Sequence, residues 1–152
     1  MLLDVLQNET FLTVLSGVIV FVLGQVYLEN IVKPNARFRN LKGQIQCDLV
    51  FYANKYSNPL EYGHIYDGGT LERYRQAEEG LRKLASEIRG FIEIRRWYNF
   101  SIPADSDLKK VSSNLIGLSN SLWSNSRHTQ DTIRENQEYV QIIRNTLKLE
   151  TE

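Results

Sequence analysis

The run FLTVLSGVIVFVLGQVYL, Phe11 to Leu28, constrains this chain more than any other feature. It carries no charge, and Gln25 is its only strongly polar side chain. Eighteen helical residues rise about 27 Å. That nearly spans a hydrocarbon core of about 30 Å, and Ile31 and Val32 carry the apolar character past Glu29. The same run would also suit a buried core helix, but the hydropathy rule favours a membrane span. A secretory signal fits worse. The segment before the run holds Asp4 and Glu9 and no base, and no small-x-small cleavage site follows it.

Charge sets an expected orientation. Residues 1–32 contain three acids (Asp4, Glu9, Glu29) and no base. Residues 33–55 contain five bases (Lys33, Arg37, Arg39, Lys42, Lys55) against the single acid Asp48. The positive side stays in the cytoplasm, so a short external N-terminus (1–10), a transmembrane helix (11–32) and a cytoplasmic C-terminus in the inner membrane are expected. The same bases would also suit anionic lipid heads. In a reducing compartment Cys47 stays a free thiol, expected as a small packed side chain.

Thr13, Gly17 and Gly24 repeat at spacings of four and seven, and small residues let helices approach closely in lipid. Self-association is therefore expected. Val20 and Phe21 would narrow a central path, and Gln25 would stand at its inner mouth. The alternative is a lone helix whose Gln25 reaches the interface.

Pro34 predicts a kink or short break. A juxtamembrane helix (33–57) then carries the stripe Phe38, Leu41, Ile45, Leu49, Tyr52 and Tyr56, and ends before Asn58-Pro59. Residues 58–69 read as a loop. His64 in that loop lacks an identifiable acid or base partner and reads as a surface histidine. A second helix, from about Thr70 to Tyr98, buries Leu71, Tyr74, Ala77, Leu81, Leu84, Ile88, Phe91 and Ile92. Its other side mixes arginines and glutamates, the pattern of a solvated face. At its end, Arg95, Arg96 and Trp97 would suit a lipid surface or a nucleic-acid backbone with stacked bases, or simply a packed helix end.

Asp105, Ser106 and Asp107 are expected to cap a third helix. Its stripe of Leu108, Val111, Leu115, Leu118 and Leu122 reads as an oligomer seam. From Val111 to Ser126 there is no charge, and nine of the sixteen residues are Ser or Asn. Such a face is expected to be covered by a sister subunit or a polar ligand, or else to be an exposed, weak helix. A fourth helix, Thr129 to Leu149, uses Ile133, Val140, Ile143 and Leu147 and forms an antiparallel hairpin with the third. No strand is expected. The fold class is all-α: one N-terminal transmembrane helix continuing into a cytoplasmic helical bundle over 70–150.

Chemistry-bearing motifs are missing. The sequence has no zinc, nucleophile-elbow or phosphate-loop pattern. It has one cysteine and two histidines, which excludes a multi-cysteine zinc site, and 18 bases balance 18 acids, which excludes a globally basic nucleic-acid binder. No catalytic residue, cofactor site or metal site is expected, and the chain does not read as an enzyme.

The combination of FVLGQ (Phe21–Gln25), the basic segment around Pro34 and FYANKYSNP (Phe51–Pro59) resembles a group of small bacterial single-pass membrane proteins. The overall plan is similar to that of membrane effectors of anti-phage defence. That resemblance implies a short span coupled to a cytosolic sensing domain, and assembly into membrane-disrupting oligomers. Two functions are therefore expected to compete. One is a homo-oligomeric gated pore controlled by a nucleotide, an oligonucleotide or a protein partner. The other is a membrane-anchored scaffold that recruits a cytoplasmic protein.

Overall fold

The computed structural model describes residues 9–94, 102–124 and 129–149. Almost all of them are helical. The chain divides into two units, residues 1–37 and 38–152.

The first unit is built on α1, Glu9–Tyr27, in which no residue is buried. A helix apolar on every side needs either a protein core or lipid around it. Among the described residues, this is the one helix region long and apolar enough to cross a membrane. A π-helical turn, Leu28–Val32, follows it, and Lys33 N–H donates to Leu28 O. Here the expected break at Pro34 is corrected. Pro34 sits in the first turn of α2, Lys33–Phe51, which runs through it. The irregularity lies one turn earlier instead. A proline ring clashes with the carbonyl four residues back, and widening that turn relieves the clash while placing the missing N–H at a helix start. The side-chain amides of Asn30 and Asn35 donate to Val26 O and Ile31 O, both at 2.7 Å, giving nearby carbonyls a further donor.

The second unit has one hydrophobic core. Phe38, Leu41, Ile45 and Leu49 of α2 are buried in it, four residues of the expected stripe. At Tyr52 the helix is interrupted (φ −94°, ψ 6°), so the juxtamembrane element is two helices, α2 and the short α3, Ala53–Ser57. Cys47 is exposed rather than packed. α4, Gly68–Ile94, buries Tyr74, Ala77, Leu81, Leu84, Ala85, Ile88, Phe91 and Ile92, with Leu71 left at the surface. Asp67 opens α4: its Oδ1 accepts Thr70 N–H at 2.9 Å and its Oδ2 accepts the Thr70 hydroxyl at 2.6 Å. That is N-capping, from a residue at the end of the stretch read in the sequence as a loop.

α5, Asp105–Asn120, packs between α4 and α6, Thr129–Leu147. Ala104 is its N-cap, so Asp105 and Asp107 lie in the first turn and not at the cap. There they face the positive pole of the helix. α5 and α6 run antiparallel. Asp107 lies near Thr146–Lys148 at one end, and Ser121 bonds Asn136 toward the other.

Two expectations fail within this core. Leu108, Val111, Leu115, Leu118 and Leu122 all have zero exposure. Their stripe is covered by the chain's own helices, so it is no oligomer seam. The absence of strands also fails, narrowly. β1, Leu60–Glu61, lies parallel to β2, Trp123–Ser124, in the register Leu60↔Trp123 and Glu61↔Ser124. Leu60 N–H donates to Leu122 O and Tyr62 N–H to Ser124 O, both at 2.9 Å.

The uncharged face of α5 is partly covered from within the chain: Ser112 and Ser119 are buried, while Ser113, Ile116 and Asn120 stay exposed. Arg89 Nε donates to Ser112 Oγ at 3.0 Å, and Arg82 Nη2 donates to Asn120 Oδ1 at 2.8 Å. The two arginines thus answer the buried part of that face from within the chain.

Candidate functional site

On α1 the expected pore residues divide. At about 100° per residue, Thr13, Gly17, Val20 and Gly24 share one face, while Phe21 and Gln25 stand roughly 70–110° round from its centre. Gln25 therefore does not join the small face. A Cβ added at Gly17 or Gly24 would meet nothing within 4 Å. Two hydroxyls on this helix are satisfied locally: Thr13 donates to Glu9 O at 2.8 Å and Ser16 to Thr13 O at 2.9 Å. Val20 and Phe21 are 69% and 66% exposed, the state of side chains that expect lipid or another helix. Arg95, Arg96 and Trp97 lie outside the described residues.

The second unit carries a crevice of about 360 Å³ at the small parallel ladder, lined by Glu61, Tyr62, His64, Tyr66, Glu78 and Trp123 among others. Its walls come from parts of the chain about sixty residues apart, joined by the pairing of β1 with β2. Gly63 makes the turn beyond β1 at φ 84°, a conformation that favours glycine. The Tyr62 ring then lies near-parallel to Trp123, with centroids 6.1 Å apart and planes 27° apart. Tyr74 meets the same indole at 6.4 Å. Tyr66 is held by its hydroxyl, which accepts Glu61 N–H at 2.9 Å, and its ring stands edge-on to His64 at 4.8 Å.

Two carboxylates complete the crevice. Glu78 Oε2 accepts Trp123 Nε1–H at 3.2 Å, and Glu78 Oε1 pairs with Arg82 at 2.9 Å. Glu61 Oε1 accepts the Thr129 hydroxyl at 3.3 Å. Among the described residues no lysine or arginine lines the crevice. Aromatic rings beside carboxylates attract an organic cation through the ring quadrupole and direct charge. His64 is exposed and lies against Tyr66, in keeping with a surface histidine. The crevice itself was not expected from the sequence. Tyr62, Tyr66 and Trp123 are visible in the sequence, but the two-residue pairing that gathers them has no periodic signal.

Elsewhere, burial raises the Asp48 carboxyl above its ordinary value, reinforced by Glu87 and opposed by Lys83. Burial, then Asp48, raises the Tyr52 hydroxyl. Among the described residues no group of three or more His, Cys, Asp or Glu side chains is placed to hold a metal ion. No protein family, curated protein or solved structure matches the chain.

Proposed function

We propose that this protein is a membrane-tethered recruitment module, in which α1 anchors the chain in the inner membrane and the helical bundle holds a cytoplasmic protein partner. The aromatic–carboxylate crevice carries the reading. It offers Tyr62, Tyr66 and Trp123 together with Glu61 and Glu78 to a Lys or Arg side chain on that partner. The core supports it as well. The stripe that would have joined copies of the chain is used up within it, so the bundle needs no second copy to cover its apolar face. The positive charge that follows the span favours a cytoplasmic body.

A photo-crosslinking residue at Ile65, which is 94% exposed beside the crevice, tests this in intact cells. The expected result is a discrete crosslinked partner that disappears when Glu61→Gln and Tyr62→Ala are combined. Crosslinking that is unchanged by those substitutions would sink the crevice reading.

A homo-oligomeric pore is the second reading, favoured by the open small face of Thr13, Gly17 and Gly24. Ion flux through the purified protein in liposomes separates the two. Flux that is lost on replacing Gly17 and Gly24 with Leu supports the pore.

A further inference from the structure

A second cavity, of about 390 Å³, lies between α2 and the end of α6, and its lining has the opposite charge. Arg39, Lys42, Gly43, Gln46, Lys148 and Leu149 form its walls, which among the described residues present three cations and no carboxylate. The cleft that adjoins it shares Lys42 and Lys148, and Asp107 is the carboxylate on that farther side.

The end of α6 is built in an unusual way. Leu149 N–H donates to Arg144 O at 2.9 Å and Lys148 N–H to Asn145 O at 3.3 Å, the paired bonds of a Schellman ending. The residue after the helix must then be left-handed, and glycine is the usual occupant. Here Lys148 takes that place at φ 50°. Lysine costs stability in this conformation relative to glycine. What it adds is an ammonium group on the groove wall. Across the groove, Lys42 Nζ donates to Lys148 O at 2.9 Å. That bond meets the negative pole of α6 and leaves two more N–H donors on Lys42. Gly43, between Arg39 and Gln46 on α2, keeps the floor open, since a Cβ there would meet nothing within 4 Å.

We propose that this groove seats the phosphate of an anionic lipid headgroup. Arg39 supplies planar paired donors of the kind phosphate oxygens accept, and Lys42 and Lys148 supply point charges. Leu149 adds an apolar wall suited to the glycerol end of a lipid. A lipid is favoured over a free phosphate by tether length. Arg39 follows Val32, the last apolar residue of the span, by seven residues, at most about 25 Å of chain. The proposal rests on α1 as the membrane anchor but not on recruitment of a partner, because the crevice and the groove share no residue.

The test uses the full chain in mild detergent. Retained lipid is read by native mass spectrometry after titration with short-chain phosphatidylglycerol, phosphatidylcholine or inorganic phosphate. The wild type should retain phosphatidylglycerol and not phosphatidylcholine, with retention falling as salt rises. Arg39→Gln and Lys148→Gly should each weaken retention about fivefold. Lys148→Gly is the informative variant, because it should raise the melting temperature while lowering affinity. Gly43→Leu changes no charge and raises helix propensity, and should block the groove by filling it. Equal retention of the two lipids, unchanged retention in Gly43→Leu and Lys148→Gly, or inorganic phosphate competing at the same concentration as phosphatidylglycerol would each overturn the proposal.

Discussion

Arg89 reaches across from α4 to α5, where its Nε donates to Ser112 Oγ at 3.0 Å and its Nη2 to Ser113 Oγ at 3.2 Å. Seven residues earlier Arg82 repeats the arrangement, with Nε to Ser119 at 3.4 Å and Nη2 to Asn120 at 2.8 Å. The spacing is the same on both helices, so two arginines on one meet two Ser/Asn pairs on the other. Ser112 also donates to Ala85 O at 3.0 Å, which locks the helices at that height. The poor helix formers of α5 are retained because small hydroxyls allow the helices close and give the arginines an acceptor.

Removing either partner tests that comb. Ser112 has zero exposure, so Ser112→Ala should cost about 1 kcal/mol, a neutral hydrogen bond's net worth. A double-mutant cycle with Arg89→Ala, read by denaturant unfolding, should show positive coupling of about 1 kcal/mol. Additive losses would mean that the two side chains do not stabilise the helix pair together.

Leu115 distinguishes an internal core from an oligomer seam. It has zero exposure among this chain's own helices. Leu115→Ala should lower stability by about 2–5 kcal/mol through lost burial and a residual cavity. The loss should be the same at low and high protein concentration, because Leu115 is buried within a single chain. A loss that shrinks with concentration would return Leu115 to an interface between chains.

What the sequence made legible follows from periodicity. Leu41, Ile45 and Leu49 recur at a helical spacing and are buried together, and so are Leu108, Leu115 and Leu118. Such stripes show that a face is covered. They do not show by what, so the same pattern on α5 served equally well for a seam. The crevice was illegible for a different reason. Two residues per strand carry no period, and only pairing of Leu60 with Trp123 brings Tyr62 onto the indole. Close approaches were hidden in the same way. A Cβ at Gly117 would stand 3.0 Å from the Tyr139 ring, a constraint no local pattern announces.

Asp48 and Asp67 should respond to pH with opposite signs. Burial, then Glu87, raises Asp48 above 3.8, so in that window the folded state holds more protons than the unfolded chain and stability falls as pH rises. Hydrogen bonds from the Thr70 side chain and backbone, in that order, hold Asp67 below 3.8. Its stabilisation is present above the unfolded value and is lost as pH falls through the lowered folded one. Relative to wild type, Asp48→Asn should therefore melt higher at about pH 7 than at about pH 3, and Asp67→Asn should do the reverse. Parallel shifts in the two variants would contradict these environments.

Asn136 is the sharpest polar constraint in the core. It has zero exposure, its Nδ2 donates to Tyr56 O at 2.8 Å, and its Oδ1 accepts the Ser121 hydroxyl. It thus ties α6 to both α3 and the end of α5. Asn136→Ala should cost about 1–3 kcal/mol, because the Tyr56 carbonyl loses its donor in a site closed to water. Asn136→Asp is the more discriminating change. At neutral pH an ionised carboxylate would face the Tyr56 carbonyl with no proton between them, and burial would add a desolvation cost. The aspartate should then be less stable than the alanine. Burial raises its folded pKa above the unfolded value, so the folded state takes up a proton first and stability recovers as pH falls. Once protonated, the carboxyl can donate to Tyr56 O as the amide did. Thermal melts across that range should show the order of the two variants reverse in acid. An aspartate variant that stays below the alanine at every pH would mean that Nδ2 is not the group Tyr56 requires.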